Sequence, residues 1–308
     1  MLKEALLSTF AIVLITMFIH RSISMVFAIF AFIVAFIFFN TDKIYHAWVL
    51  KQEQDRFETR MGEIINKINA KEMPVIEPIP KIIIQIWVQK DGGPTKMPAR
   101  EVKYMDLMRK MNPSFQYLFF NGEDVEQFFK SNYAEYYDTY KNLPFFIQKL
   151  DFFRYLAIYH YGGFYFDMDI ELHKPLDENV TNHSAIFPID EYANSLECQK
   201  PRMTSYCSVG QNFLLGQYAF GATAKHPFMK LLVDRIHNKL NKYIKIAEQI
   251  NTNNKTDVHY FVYKTTGPDF VTECYLKYEQ KNQLYILSNG KRQVFGDYAT
   301  HKYVGYWK

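Results

Sequence analysis

Asp167 and Asp169 place two carboxylates one residue apart, on either side of Met168. In an extended segment, residues i and i+2 point to the same side, roughly 6.5–7 Å apart. Paired carboxylates on one face suit a hard divalent cation, which takes oxygen ligands and leaves room for substrate phosphates. The spacing alone is weak evidence, since it arises about once by chance in a chain this long, and a solvated acidic turn has the same pattern. Its context is more specific. Upstream, Asp151, Arg154 and Tyr155 fall at i, i+3 and i+4, on one face of a helix. Around them Phe152, Phe153, Leu156 and Ile158 make the rest of that helix apolar. Such a polar strip is either a structural Asp151–Arg154 ion pair or a binding surface. In the second case Arg154 meets a phosphate oxygen and Asp151 accepts from ligand hydroxyls. Gly162 and Gly163 permit the tight reversal that brings the helix end beside the following strand.

These residues need a sheet to hold them. Lys81 to Val88 is a short run rich in β-branched residues, bounded by Pro80 and the Asp91–Pro94 turn, as expected of a strand buried on both faces. A helix is expected over 99–110, a second strand over 115–120 and a helix over 123–130. A longer helix opens at Pro144 and stops at the glycine pair. Phe164 to Asp167 gives a third strand and Ala185 to Ile189 a fourth. The last clear helix begins at Pro227, with Leu231, Leu232, Ile236 and Leu240 on one face. Strands alternating with helices predict an α/β fold, a largely parallel sheet covered on both faces. Ligands of such sheets bind at the carboxyl ends of the strands, which is where Asp167 and Asp169 fall.

The N-terminus is different material. Leu6 to Ile19 and Ser22 to Phe39 carry no charge and are parted by His20 and Arg21. The second run spans roughly 27 Å as a helix, close to a bilayer's hydrocarbon thickness, whereas the first, at roughly 21 Å, is marginal. Residues 1–40 are therefore expected to be a transmembrane anchor, as one span or as a helical hairpin. Flanking charge does not choose between them. Residues 41–78 are expected to form a stem helix and a Pro-rich linker, with the catalytic domain at 79–308. One span would make a type II protein of the Golgi or endoplasmic reticulum type. Cys198 and Cys207 could pair in an oxidising lumen, or all three cysteines could be buried thiols. A net charge of +4 with no dense Lys/Arg block excludes a nucleic-acid patch. The 27 Phe and 23 Tyr are mostly core material.

The stretch QKLDFFRYLAIYHYGGFYFDMD (148–169) resembles the donor-binding signature of the DXD-containing retaining glycosyltransferases, family 32-like. Their yeast representatives are the initiating α-1,6-mannosyltransferase and the inositol-phosphoceramide mannosyltransferase type. The resemblance runs from Ile79 to the C-terminus. It includes PKIIIQIW (80–87), QYAFGATAKHPF (217–228), Thr266-Gly267-Pro268 and HKYVGYW (301–307). It implies a GT-A-type, Rossmann-like fold with a parallel or mixed sheet, and transfer of a hexose with retention. Mannose, galactose, glucose and GlcNAc all occur among such enzymes, carried on GDP or UDP. The anchor points to a glycan or glycolipid acceptor.

The implied cation is Mn²⁺ or Mg²⁺, held by Asp167, Asp169 and His301. Asp151, Arg154 and Asp169 would be catalytic. Gln85, Trp87, Asp151, Arg154, Tyr155, Asp167, Gln217 and Trp307 would bind the nucleotide-sugar. Three positions depart from the family pattern: Ile84 replaces a His, Gln217 an Asn and Tyr306 a Ser. Two other functions fit part of the pattern, a nucleotide-sugar phosphohydrolase and a non-catalytic sugar-binding scaffold. The intact Asp151, Arg154, Asp167 and Asp169 set speaks against the scaffold.

Overall fold

The computed structural model describes residue 12 and residues 25–75, 77–89 and 96–305. It divides into two compact units, residues 1–57 and 58–308. Helix α1 (Met25–Asn69) is the main element of the first, where the exposed Tyr45 and Trp48 rings stack. Among the described residues no helix is long and apolar enough to cross a membrane. The expected anchor runs at 6–19 and 22–39 lie largely or partly outside the described residues.

The second unit holds the remaining helices: α2 (Ala99–Met111), α3 (Gly122–Asn132), α4 (Ala134–Asn142), α5 (Phe146–Tyr161), α6 (Glu178–Thr181), α7 (Pro201–Cys207), α8 (Pro227–Ala247), α9 (Lys255–Thr265) and α10 (Pro268–Lys277). Its main strands are β1 (Ile82–Ile86), β2 (Gln116–Phe120), β3 (Gly163–Phe166), β5 (Ala185–Tyr192), β6 (Phe213–Leu215), β7 (Ala219–Ala222) and β8 (Leu284–Leu287). They form one sheet in the order β2-β1-β3-β7-β5-β6, with β8 also on β5. Strands β4 (Ile170–Leu172), β10 (Ala299–His301) and β9 (Val294–Phe295) form a second, small sheet.

The alternation of strands and helices suggests a largely parallel sheet and the resemblance allows a mixed one; the sheet is mixed. The pairs β1–β2, β1–β3 and β5–β8 are parallel, whereas β3–β7, β5–β7 and β5–β6 are antiparallel. Two helices, α9 and α10, follow the one that was expected to be last. Their aromatic and β-branched residues and the Gly267-Pro268 break blur the helical period.

Successive side chains of β3 point to opposite faces of the sheet. Phe164 and Phe166 join Met108 of α2, Val180 of α6, and Ile170, Leu172 and Phe295 of the small sheet in one core. Tyr165 points the other way, with the Arg154 guanidinium of α5 4.7 Å from its ring centre. Both faces are thus covered. At its C-terminal end α1 also joins this unit. Met61 and Ile65 are buried, and the Asn69 amide pairs with both backbone groups of Ile286 at 2.9 Å. Cys198 and Cys207 form a disulfide, and Cys274 is a buried thiol.

The glycine pair is required twice over. Gly162 and Gly163 have φ of +69° and +91°, the left-handed region. A Cβ on Gly163 would stand 2.5 Å from the Ile82 carbonyl oxygen, inside the β1–β3 pairing. Left-handed backbone costs a side chain about 1–2 kcal/mol and overpacking about 1–3 kcal/mol more. Gly163→Ala is therefore expected to lower unfolding free energy by about 3 kcal/mol in urea titration, or to prevent soluble expression.

His226 caps α8, its Nδ1 accepting from the Phe228 N–H at 3.2 Å. Burial pushes its pKa down to about 4, so the folded ring stays neutral while the unfolded ring protonates near 6.5. A proton then favours the unfolded chain, and stability is lost as pH falls from about 6.5 to about 4. The urea midpoint is expected to drop across that window less in His226→Asn, whose amide can still cap.

Candidate active site

Strand β3 ends at Phe166, and Asp167, Met168 and Asp169 form a turn into β4 rather than an extended run. The Ile170 N–H closes the turn on the Asp167 carbonyl at 3.2 Å. The two carboxylates therefore converge through a turn, which corrects the alternation expected of an extended strand. The third member comes from the chain's other end. Pairing of β10 with β4 sets His301 opposite Ile170, leaving its Nε2 3.2 Å from Asp169 Oδ1. Asp167, Asp169 and His301 each offer a ligand atom, all within 4.8 Å of one another.

Each member is held from behind. Asp169 Oδ2 accepts from the Val304 N–H at 2.9 Å, and the Lys302 N–H donates to the Asp169 carbonyl. Burial would raise the Asp169 pKa, but His301 and the backbone donors outweigh it and hold the group ionised. The His301 ring lies on Tyr218, 4.6 Å between centres, and Tyr303 packs 4.1 Å from it. The Tyr165 hydroxyl donates to Asp167 Oδ1 at 2.6 Å. Gln85 is fully buried beneath the turn. Its amide faces the Phe166 and Asp167 carbonyls at 3.4 and 3.3 Å, and its oxygen accepts from the Tyr117 hydroxyl.

Arg154 links this group to α5. Its Nη1 lies 3.2 Å from Asp167 Oδ1 and 3.2 Å from the Gln217 carbonyl, and its Nη2 lies 3.1 Å from Asp151 Oδ1. Burial opposes the charge, but Asp167, Tyr165 and Asp151 raise the guanidinium pKa further. Asp151 is fully buried. Its Oδ1 also meets the Gln217 amide at 3.3 Å, and Oδ2 accepts from the Thr266 hydroxyl at 2.6 Å. Burial pushes its pKa up to about 6, against the pull of Arg154. Burial likewise raises that of Asp167. The Tyr155 hydroxyl lies 2.5 Å from Gln217 Oε1 and 2.6 Å from the Thr266 carbonyl. Asp151 and Asp167 share one guanidinium, with Asp169 beside them, so acids outnumber the fixed cation. That imbalance suits a divalent cation.

A cavity of about 360 Å³ opens over these groups. Trp87, Asp151, Arg154, Asp167, Asp169, Gln217 and His301 line it, whereas Gln85 and Tyr155 stand behind the lining and brace it. Trp307 and Tyr306 lie outside the described residues. Sequence reasoning missed Tyr165, Tyr218, Thr266 and Tyr303 as parts of the site. Tyr165 carried a signal, two residues before Asp167 in the same strand, and the other three lie in segments of the resemblance that assigned them no role.

Residues 98–187 match the family model described as a glycosyltransferase sugar-binding region containing a DXD motif. Inositol phosphoceramide mannosyltransferase 1 of Schizosaccharomyces pombe is 30% identical over 210 residues, which cover 66% of this chain and 53% of that one. An uncharacterized glycosyltransferase of Acanthamoeba polyphaga mimivirus is 36% identical over 165 residues, 51% of this chain and 64% of the other. The initiation-specific α-1,6-mannosyltransferase of Candida albicans is 26% identical over 212 residues, 66% and 54% respectively. The chain thus spans about half to two-thirds of the length of these relatives. The matched region contains both the Arg154 helix and the Asp167–Asp169 turn, so the similarity to glycosyltransferases whose sugar-binding region contains a DXD motif falls on the residues of the candidate site.

Proposed function

We propose that this chain is a membrane-anchored, divalent-metal-dependent hexosyltransferase. It moves a sugar from a GDP- or UDP-hexose to a glycan or glycolipid with retention of configuration. The observation that carries this reading is the Asp167–Asp169–His301 group, set against Arg154 at the strand edge of one cavity. Mannose is favoured as the sugar, and a lipid headgroup as the acceptor, because the relatives' names specify mannosyl transfer and, in one, inositol phosphoceramide. The uncharged run at 22–39 supports the anchor.

Asp167, Asp169 and His301 would hold the cation, and an imidazole beside two carboxylates suits Mn²⁺ better than Mg²⁺. When bound, the cation supplies Lewis-acid stabilisation of diphosphate charge. The chain's own groups supply the rest. Arg154 and the Tyr165 hydroxyl fix Asp167 before substrate arrives, so little reorganisation is left for the reaction. Arg154 has both Nη atoms on protein acceptors, so its main work is to orient Asp167 and to keep positive charge near the leaving group. Asp151 has both oxygens taken, so it meets a sugar hydroxyl only where the Gln217 amide yields one of them. Trp87, at the cavity wall after β1, offers its ring to the base. In the reaction the bond from anomeric carbon to diphosphate breaks and a bond to the acceptor oxygen forms. The acceptor's proton passes to the departing phosphate.

The test is nucleotide release by the full-length chain with Mn²⁺ and GDP-mannose, UDP-galactose, UDP-glucose or UDP-GlcNAc. GDP-mannose is expected to react fastest. EDTA should abolish release, and added Mn²⁺ should restore it. Asp169→Ala is expected to lower turnover at least about 100-fold at any Mn²⁺ concentration. Near-normal turnover in that variant would sink the metal role.

A further inference from the structure

Strand β5 carries a feature that the donor site does not use. Its register with β6 runs Ile189↔Leu215 and then Glu191↔Leu214, so Asp190 is the extra residue of a β-bulge. Consecutive residues of a regular strand point to opposite faces. Here Asp190 and Glu191 both line the cavity that holds Asp167 and Asp169. A bulge re-aims a side chain in this way.

The two acids differ in what they meet. Glu191 pairs with Arg202 at 2.8 Å, and Arg202 in turn binds the buried Asp269 at 2.6 Å. Arg292, also in the lining, is taken by Glu197 at 2.7 Å. Asp190 accepts one hydrogen bond, from the Tyr303 hydroxyl to Oδ1 at 2.7 Å, and no cation among the described residues pairs with it. Its second oxygen is left to the cavity. Tyr303 holds it from the left-handed region, at φ +54°, with its ring against His301. For so bulky a residue that backbone is an outlier, of the kind found at ligand sites.

Position adds to this. Gly163 of β3 and Ala185 of β5 flank the same residue of β7, Ala222, from its two sides. The two strands therefore run in the same direction, roughly 10 Å apart at that level. Their C-terminal ends reach Asp167 and Asp190 on one edge of the sheet. Tyr263 of α9 is in the lining too, with the Arg202 guanidinium over its ring, 4.9 Å from the centre.

We infer that Asp190, beside the neutralised Arg202 and Arg292, forms the acceptor subsite, which takes a polyol. The polyol is a sugar or cyclitol, with its hydroxyls on Asp190. Asp190 binds the acceptor and does not bear on the donor's diphosphate. The inference rests on the transferase reading and names the acceptor class for it.

The test uses the full-length chain with Mn²⁺ and the best nucleotide-sugar donor. Transfer to methyl α-mannoside, methyl β-galactoside and myo-inositol is measured beside hydrolysis of the same donor by water. Asp190→Asn keeps the shape and the Tyr303 contact but loses the charge. It is expected to cut transfer relative to hydrolysis about 10- to 100-fold, chiefly through a higher acceptor KM. A proportional fall in both reactions, or a change in neither, overturns the assignment. So does a wild type that hydrolyses the donor and transfers to none of these polyols. A wild type that releases nucleotide from no donor overturns the transferase reading instead.

Discussion

The buried guanidinium of Arg154 is the constraint around which the domain is organised. Taking a full charge out of water costs several kcal/mol even after relaxation, so it is tolerable only with close, well-placed acceptors. Asp151 and Asp167 supply them, the first fully buried and the second half-buried at the cavity. Removing one partner of such a set leaves the others uncompensated, typically at about 3–5 kcal/mol. The acceptors come from distant parts of the chain. Asp151 lies on α5, Asp167 at the end of β3, the Gln217 carbonyl just before β7, and Thr266 braces Asp151 from the turn after α9. Satisfying one cation therefore fixes a helix, a strand end and two connections together. The carboxylate of Asp167 is held in place as a consequence.

The same arrangement explains the excess of negative charge. If each acid had its own cation, the site would be an inert structural network. Asp151 and Asp167 instead share one, and burial raises the pKa of both. An additional positive charge would relieve that strain, which is what the proposed divalent cation would supply. Asp169 differs in being satisfied by His301 and a backbone N–H, which keep it ionised and ready to ligate.

Local features of this design were legible in the sequence, and long-range ones were not. The i, i+3, i+4 strip on α5 showed through its apolar surroundings, and the glycine pair marked its end. Strand direction did not show. β7, with the sequence Ala-Phe-Gly-Ala, is too short and too uniformly buried to display a period, so nothing signalled an antiparallel strand between β3 and β5. The roles assigned to Asp151 and Arg154 shifted for a related reason. A helix face shows that two side chains point the same way, but not that Gln217 and Thr266, more than 60 residues on, will already occupy their polar atoms. The convergence of Asp167 and Asp169 through a turn, and the bulge at Asp190, are likewise set by partner strands.

The division of the ligand group between residues 167–169 and residue 301 has a structural consequence. His301 reaches Asp169 only because β10 pairs with β4, a three-residue antiparallel ladder at the edge of a small sheet. Such a ladder is marginal alone. The core that Ile170, Leu172, Phe295 and Ala299 join secures it, and the site adds to this: the Val304 and Lys302 N–H groups bind Asp169, and the Tyr303 hydroxyl binds Asp190. Tyr303 accepts a left-handed backbone in that setting, at a cost of order 1–3 kcal/mol. Residues 302–304 are thus held by the acids that they complete. Because Tyr303 touches both His301 and Asp190, the cation group and the bulge are physically one unit. Removing that tyrosine therefore disturbs both, whereas a change at Asp190 that keeps its hydrogen bond leaves the cation group in place.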